Sequence, residues 1–411
     1  MMSALDVTKI RGQFPAFRRQ ERGCPVAYFD GPAGSQVPES VIEAVSNYLA
    51  NTNANCGAPI GTSRDSDAIL SQARQTLADF LGASDPLEIV FGANMTTCAF
   101  SLSRALARTW KPGDEIIVTQ LDHDANVTPW VRAAESAGAT VRHVPVDLAT
   151  CTLDMAVYDE LLSERTRFIA VGYASNAVGT VNPVREMISK GHAVGALTFV
   201  DAVHMAPHRL IDVAHLDCDF LACSAYKFFG PHVGVLWGRY QLLDELRPDK
   251  LRPAPESVPG KWMTGTQHHE GIAGASAAVD YIASLGDGES RRERLRVAFE
   301  RIERHEEELL RQLLEGLKSL PYRLWGLSTR RDDADRVPTV SLTHEHIAPQ
   351  ELARQLAQAG LYCWPGNHYA YPFTTVAGLE PLGTLRIGLL HYNTSEEVAR
   401  LLEELARLGT P

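Results

Sequence analysis

The sequence predicts an α/β protein with a mainly parallel seven-stranded sheet covered by helices, followed by a smaller α+β domain at the carboxyl terminus. Two observations predict the larger part. Helical patterns and short apolar runs alternate from about residue 67 to 240, and several runs are apolar on both faces. Strands that alternate with helices need crossover connections, which give a parallel sheet with helices on both sides. The third observation is a change of pattern near residue 250, which predicts the second part.

The elements of the larger part are placed by the period of their apolar residues. A spacing of about three to four residues predicts a helix, and a short run rich in β-branched residues predicts a strand. The predicted helices span 67–82, 96–109, 127–137, 156–164 and 184–192. The seven predicted strands span 87–92, 115–120, 140–146, 167–173, 197–204, 219–226 and 233–238.

The smaller part follows a proline-rich stretch at 251–262, which is typical of a surface connection. A long amphipathic helix is predicted at 291–320, and Thr394 with Glu397 predicts a capping box at the start of the last helix. The remaining predicted elements are a strand at 337–343, a helix at 349–360, a loop at 364–384, a strand at 384–392 and a helix at 395–408. We expect an N-terminal segment packed on the small domain, a large domain, a connecting and interface segment, and the small domain, at 1–25, 26–260, 261–290 and 291–411.

Composition and charge exclude several classes of function. The formal net charge of −11 argues against nucleic acid as a partner, because binding to phosphates along a strand needs a basic face. No stretch reaches the roughly 18 apolar residues of a membrane span, and the N-terminus lacks the pattern of a secretory signal. The seven cysteines are scattered without a C-x-x-C pair, which argues against a disulfide framework or a structural zinc site. A cytoplasmic location is therefore predicted.

An acid and a lysine follow the apolar runs of two successive predicted strands. Asp201 lies in FVDAVH, and Lys227 follows an apolar strand in SAYKFFGP. Lysine can form an imine with an aldehyde cofactor, and an aspartate beside a pyridine nitrogen keeps that nitrogen protonated. Parallel strands direct their carboxyl ends to one crevice, so the two side chains would meet there. The alternatives are a helix N-cap for Asp201 and a surface lysine for Lys227.

Two further segments would complete such a site. GANMTTCAF is a strand-to-helix turn whose backbone N–H groups, with Thr96 beside them, would suit a phosphate; an ordinary capped helix is the alternative. His123, in QLDHDANVTPW, follows a predicted strand at the rim where an imidazole could stack on a flat cofactor, although a structural histidine is the alternative. No P-loop or G-x-G-x-x-G motif follows a strand, so nucleotide binding has no support from motifs.

Taken together, these segments resemble the class V aminotransferase family, and most closely its cysteine-desulfurase-like branch. The resemblance runs from FDGPAGSQVP near residue 30 to HYNTSEEV near 395, through SNAVGTVNPV, VDAVHMAPHRLIDV, SAYKFFGP and TGTQ in the family's order. It implies fold type I of the pyridoxal-phosphate (PLP) enzymes and PLP as the cofactor. Lys227 would hold the cofactor as a Schiff base, Asp201 would pair with the ring nitrogen and His123 would stack on the ring. Asn176 and His204 would lie near the ring hydroxyl, where most relatives have glutamine in place of His204.

The resemblance also implies how the cofactor phosphate and the subunits are arranged. Met95, Thr96 and Ser224 would hold the phosphate. Tyr226 stands where relatives usually have a phosphate-binding histidine, so a phenol would replace an imidazole. Thr266, in TGTQ, would reach the phosphate of a neighbouring subunit, which implies a homodimer with shared active sites.

Arg386, in TLRIGLLHYNT, matches the arginine that binds the substrate carboxylate, with a surface ion pair as the alternative. The loop before it departs from the family pattern. It reads WPGNHYAYP, so Tyr369 stands where a cysteine desulfurase has its persulfide-forming cysteine, and Cys363 lies six residues upstream. The segment NTNANCGAPIGTS also lacks the family's usual His-Arg pair. Tyr369 and His368 are candidates for lining the substrate or donating a proton, with loop packing as the alternative.

The missing cysteine favours a C–S lyase that acts by β-elimination on an S-substituted cysteine. Transamination, epimerisation or oxidative decarboxylation of an amino acid would begin from the same complex, and a desulfurase that uses Cys363 is a further alternative. A non-catalytic scaffold would not need Lys227, Asp201 and Arg386. A metal hydrolase built on the histidine pairs lacks an H-E-x-x-H arrangement, so no metal is expected.

Overall fold

A seven-stranded sheet forms the centre of the larger part. The structure is a computed structural model that describes residues 5–329 and 334–409. The strands are β1 to β7 in chain order: Ile89–Gly92, Glu115–Thr119, Thr140–Val144, Thr166–Gly172, Leu197–Asp201, Phe220–Ser224 and Gly234–Gly238. Their order across the sheet is β1-β7-β6-β5-β4-β2-β3. All seven predicted strands are confirmed, most of them shorter than predicted.

The sheet is parallel except at one strand. The pairs β5–β6, β4–β5, β2–β4 and β2–β3 are parallel, whereas β7 runs antiparallel to both β6 and β1. Parallel pairing places Asp201, the last residue of β5, opposite Ala222 of β6. Lys227 follows β6 in the 3-10 turn Ala225–Lys227. The mainly parallel sheet is therefore confirmed, and it brings the predicted acid and lysine to one edge.

Helices cover the sheet and link it to the smaller part. In chain order α1 to α14 are Val7–Gly12, Glu39–Asn51, Gly61–Leu81, Met95–Ala107, Thr128–Ala137, Met155–Leu161, Val184–Ala193, Val213–Leu216, Tyr240–Glu245, His269–Ala283, Arg291–Leu317, Pro349–Gln358, Tyr371–Val376 and Ser395–Gly409. The predicted helices are confirmed; their ends agree within three residues, except that α3 begins six residues before its predicted start. The sequence did not predict α1, α2, α8, α9, α10 and α13. Of these, α10 packs on both α2 and α3.

The smaller part contains a four-stranded antiparallel sheet. Its strands β8 to β11 are Tyr322–Trp325, Thr339–His344, Trp364–Gly366 and Thr384–Gly388, in the order β8-β9-β11-β10. The capping box of Thr394 and Glu397 at α14 is confirmed: each backbone N–H donates to the other side chain at 3.2 Å. The prediction of a loop at 364–384 is wrong in part. At the start of this segment β10 pairs with β11. Helix α13 follows, with Pro372 in its first turn, where proline is tolerated.

Four pairs of short strands lie outside the two sheets in the described part of the chain, and two of them join distant segments. The short strands pair Gln20–Glu21 with Cys24–Pro25, Ala27–Tyr28 with Leu361–Tyr362, Val146–Asp147 with Thr152–Leu153, and Thr180–Val181 with Asp335–Arg336. Buried apolar side chains pack on both faces of the large sheet, and a separate cluster lies between the small sheet and α11, α12 and α14. Ala27 and Phe29 belong to the latter cluster, so the chain near residue 30 is held against the small sheet. Among the described residues no helix has the length and apolarity to span a membrane.

Candidate active site

A cavity of about 790 Å³ lies where β2, β5 and β6 end, beside the loop that precedes β11. Twelve of the thirteen predicted site residues line it: Met95, Thr96, His123, Asn176, Asp201, His204, Ser224, Tyr226, Lys227, His368, Tyr369 and Arg386. Thr266 is the exception, since it is exposed and lies outside the cavity of its own chain. The structure therefore brings together residues that come from most of the length of the chain.

Lys227 projects into the cavity, so the alternative of a surface lysine is wrong. Its Nζ donates a hydrogen bond to the carbonyl oxygen of Pro32. Desolvation in the cavity lowers the pKa of Lys227 to about 7, and the charge of Arg386 adds to this effect, while Asp201 and Asp30 oppose it. Near neutral pH a substantial fraction of this amine is therefore uncharged and nucleophilic.

Asp201 is buried at the end of β5 and faces the same cavity. Its Oδ1 accepts a hydrogen bond of 2.9 Å from the backbone N–H of Val203, and turns follow it, so the alternative of a helix N-cap is wrong. Burial raises the pKa of Asp201 to about 6, while the Val203 N–H and the charge of Lys227 lower it. A carboxylate with one oxygen bound to the backbone can present the other to a cationic ring nitrogen.

The start of α4 forms one end of the cavity. Asn94 caps this helix by accepting a 2.9 Å hydrogen bond from the backbone of Thr97, and the Met95 N–H donates to Ser224 Oγ at 2.9 Å. The Tyr226 ring lies parallel to His232, with centroids 4.9 Å apart. Helix N–H groups with hydroxyl and phenol groups beside them suit a phosphate. Asn94 and His232 also line the cavity and were not predicted. Asn94 stands directly before the helix, which is a usable signal, whereas His232 has none.

His123 forms a stack with a residue of the loop before β11. Its ring lies 5.5 Å from that of Tyr369 at an angle of 21°, and the backbone N–H of Asp124 donates to Tyr369 O at 2.7 Å. Burial lowers the pKa of His123 to about 4, with Lys227 and Arg386 adding to the effect, so the imidazole is neutral. Tyr369 itself remains 72% exposed at the mouth of the cavity.

Arg386 and Asn176 form a hydrogen-bonded pair on one side of the cavity. Arg386 is 4% exposed and donates to the backbone oxygen of Asn176 at 2.9 Å, so the alternative of a surface ion pair is wrong. Asn176 Nδ2 donates to the His368 carbonyl at 2.8 Å. Within the described residues, Asn176 Oδ1 and Arg386 Nε are buried without a partner. His204, the third residue on this side, holds Thr339 Oγ1 at 2.9 Å.

These residues fit pyridoxal phosphate. The cavity offers an amine of lowered pKa, a buried carboxylate, a helix start with hydroxyl groups, and a buried amide oxygen without a partner. Residues 5–329 and 334–409 contain no group of three or more histidine, cysteine, aspartate or glutamate side chains placed to hold a metal ion.

The profile of the class V aminotransferases matches residues 27–401. The chain belongs to the class V aminotransferase family. It is an enzyme that depends on PLP, as the family resemblance predicted. The matched segment includes every residue named in the cavity, so the candidate site lies within the part of the chain that the family profile matches.

Within the family, the chain is similar to cysteine desulfurases. A cysteine desulfurase of Pectobacterium carotovorum subsp. carotovorum (strain PC1) is 33% identical over 418 residues, which cover 98% of each chain. Two solved structures share the fold at 27% identity: the apo cysteine desulfurase of Thermococcus onnurineus NA1 (TM-score 0.89, 100% of this chain and 99% of that one) and the cysteine desulfurase CsdA of Escherichia coli (TM-score 0.84, 98% of each chain). The predicted PLP fold type I is therefore confirmed.

The pKa of Lys227 leads to a testable pH dependence. Only the neutral amine attacks an aldehyde, so we expect covalent uptake of PLP by the cofactor-free protein to speed up as the pH rises from about 6 to about 8, and then to level off. A lysine with the ordinary pKa of about 10.4 would instead keep accelerating towards that pH. Borohydride reduction at timed intervals, followed by mass spectrometry of the peptide that contains Lys227, measures the rate. A rate that still increases steeply above pH 9 would contradict the expectation.

Proposed function

We propose that this enzyme is a C–S lyase that cleaves an S-substituted cysteine by β-elimination and does not form a persulfide. One observation carries the proposal: all seven cysteines lie in the described part of the chain, and none of them lines the cavity. A persulfide-forming desulfurase needs a thiol that can reach the substrate sulfur. Tyr369 occupies the corresponding place in the loop, and a phenol cannot carry sulfur.

Cys363 is poorly suited to replace that thiol. It is 9% exposed and packs in the apolar cluster of the small sheet. Burial raises the pKa of the Cys363 thiol, and the nearby charge of Asp30 adds to the effect, so the nucleophilic thiolate is disfavoured. Its neighbour Trp364, the first residue of β10, does line the cavity, whereas Cys363 lies between the strand Leu361–Tyr362 and β10 and does not line it.

The residues of the cavity support distinct tasks in an elimination. Bound PLP supplies an aldehyde that holds the substrate amine and a protonated ring that accepts the electron pair released at the α-carbon. Arg386 would bind the substrate carboxylate through its planar guanidinium. Lys227 Nζ, with its lowered pKa, would take the α-proton, and Asp201 would keep a proton on the ring nitrogen.

The proposed reaction is balanced without an oxidant or a reductant. The α-proton and the C–S bond are lost, the sulfur leaves as a thiol after it gains a proton, and the remaining three-carbon fragment is hydrolysed by one water to pyruvate and ammonium. The phenol of Tyr369 at the mouth of the cavity is a candidate donor of the proton to the leaving sulfur.

A product assay tests the proposal. With an S-alkyl cysteine we expect thiol, pyruvate and ammonia in equal amounts, and we expect Cys363→Ser to keep the rate within about twofold of wild type because its side chain is outside the cavity. A 2-oxo acid formed only with an added amino acceptor would instead indicate an aminotransferase. Racemised substrate would indicate an epimerase, and release of CO₂ a decarboxylating oxidase. A protein that binds PLP and transforms none of these amino acids would support a scaffold.

Cysteine desulfurase is a second candidate, because the curated relatives and solved structures carry that name. This activity would convert free cysteine to alanine and deliver sulfur to a thiol, which here would be Cys363 or a thiol of another molecule. Alanine and sulfide formed from cysteine in the presence of a reductant would support it. Loss of that activity in Cys363→Ser would identify the carrier and refute the lyase proposal.

We also propose that the enzyme is a homodimer with shared active sites. The exposed position of Thr266, outside the cavity of its own chain, supports a role in the site of a second copy. The cofactor phosphate would lie at the start of α4. The hydroxyl group of Thr266 from the second copy would complete the phosphate site there.

A further inference from the structure

His368 lies in a strained part of the cavity wall. It is 8% exposed, and both His368 and Tyr369 have the left-handed backbone conformation, with φ of 58° and 55°. Non-glycine residues adopt this conformation at a cost, and such strain is concentrated at functional sites. The backbone is held there from outside the loop: Asn176 Nδ2 donates to His368 O, and the N–H of Asp124 donates to Tyr369 O.

A chain of hydrogen bonds fixes the tautomer of His368. Ser341 Oγ donates its single proton to the carbonyl of Ala177 at 2.6 Å, since a carbonyl can only accept. Thr384 Oγ1, 3.0 Å from Ser341 Oγ, must therefore donate to it. Thr384 has no second proton, so its contact of 3.0 Å with His368 Nε2 requires that Nε2 carry the hydrogen.

The other ring nitrogen is consequently an acceptor. Burial lowers the pKa of His368 well below its usual range, and the charges of Arg386 and Lys227 add to the effect, so the ring is neutral and Nδ1 bears a lone pair. Within the described residues, Nδ1 is buried and has no hydrogen-bond partner. A buried acceptor without a partner is costly, and a donor on a molecule bound in the cavity would remove that cost.

The position of His368 indicates which part of a substrate provides that donor. The charges of Arg386 and Lys227 both lower the pKa of His368, so its ring lies near both groups. The substrate carboxylate would bind at Arg386, and the substrate amine would react at Lys227. A carboxylate has no hydrogen to donate at neutral pH, and the amine is committed to the cofactor. The side chain of the substrate is the part that remains.

We propose that His368 is a specificity-determining residue whose Nδ1 accepts a hydrogen bond from a hydroxyl or amide N–H group on the sulfur substituent of the substrate. This inference rests on the proposed C–S lyase function. It narrows the substrate class to cysteine conjugates with a polar, hydrogen-bond-donating substituent and disfavours simple S-alkyl cysteines. Those remain substrates, at lower affinity.

The test compares two acids that cannot react because they lack the amino group. 3-(2-Hydroxyethylthio)propanoate and 3-(propylthio)propanoate differ only by a hydroxyl in place of a methyl group, and isothermal titration calorimetry of the PLP-loaded enzyme measures their affinities. We expect the hydroxyl acid to bind wild type about tenfold more tightly than the propyl acid. His368→Phe should abolish this preference. His368→Asn should keep it, because the asparagine oxygen can lie near the place of Nδ1 and asparagine tolerates left-handed backbone.

Thr384→Val provides a second variant that leaves the imidazole in place. Without the acceptor for Nε2–H the tautomer is no longer fixed, so we expect an intermediate preference. Unchanged affinity for the propyl acid in each variant shows that the Arg386 side of the cavity is intact. Equal affinities for the two acids in wild type, or a preference that survives in His368→Phe, would overturn the inference. If His368→Phe fails to fold, a loss of the preference in His368→Asn would overturn the inference instead. A preference without any elimination product would refute the lyase proposal and leave the role of His368 standing.

Discussion

Lys227→Ala is expected to lose activity by a factor of at least about 10³ and to lose all covalently held cofactor. The lysine serves two purposes that alanine cannot: it binds the aldehyde, and it moves the α-proton. Lys227 is the lysine among the residues that line the cavity. Desolvation and the charge of Arg386 lower the pKa of its amine to about 7, which suits both tasks at neutral pH. Turnover with an S-substituted cysteine measures the first effect, and borohydride reduction followed by mass spectrometry measures the second.

Lys190→Ala is the matched control. Lys190 lies on α7, where it forms ion pairs with Asp159 and Glu186 outside the cavity. Exposed pairs of this kind contribute at most about 1 kcal/mol, so this variant should keep the cofactor and the activity. A Lys227→Ala protein that still carries a borohydride-reducible cofactor would show that another amine holds it. The proposed assignment of the site would then be incorrect.

The parts of the site that could be predicted are those with a local signal. Asp201 and Lys227 each follow a short apolar run, and parallel pairing of those runs places both at one edge of the sheet. Strand β7 could have been predicted as antiparallel too. The chain from Ser224 to Gly234 is too short for the crossover that a parallel neighbour requires, which takes a dozen or more residues.

Other parts depend on contacts between distant segments. The chain near residue 30 runs along the small sheet. Pro32 can therefore accept the hydrogen bond of Lys227, and the charge of Asp30 raises the pKa values of Lys227 and Arg386. Nothing in the local pattern of that stretch indicates this. The strand in the segment 364–384 has only three residues and contains a proline, so it has little local signal, and its pairing with β11 stabilises it. The tautomer of His368 depends on Ser341 and Thr384, which come from two different strands.

Asp201→Asn is expected to lower kcat/KM by about 10²- to 10³-fold while the cofactor stays covalently bound. This is the usual loss when one preorganised charged or hydrogen-bonding group at a reacting centre is removed. Asparagine has the shape of aspartate, and its oxygen can still accept from the Val203 N–H, so the local structure should remain. The negative charge is lost, and with it the reason for the ring nitrogen to stay protonated. Since Asp201 raises the pKa of Lys227, that pKa should fall further below about 7, and the acidic limb of the pH–rate profile should move to lower pH.

Asp219→Asn is the control variant. It shows whether an effect of Asp201→Asn comes from the loss of charge at the site or from the change of a buried acid as such. Asp219 is also buried, just before β6 at the opposite end from Lys227, where it accepts hydrogen bonds from Thr198 and contacts His192 at 2.8 Å. Its variant should be less stable to heat, because a buried hydrogen-bonded carboxylate is changed, yet the folded fraction should keep its turnover and its pH profile. If Asp201→Asn instead lost only stability, as Asp219→Asn should, the carboxylate at the end of β5 would be structural. A group other than a ring nitrogen paired with Asp201 would then have to stabilise the negative charge that forms at the α-carbon. With pKa values of about 6 for Asp201 and about 7 for Lys227, the acid and the amine titrate close together in one cavity. The losses of turnover in Asp201→Asn and Lys227→Ala should therefore not add in the double variant.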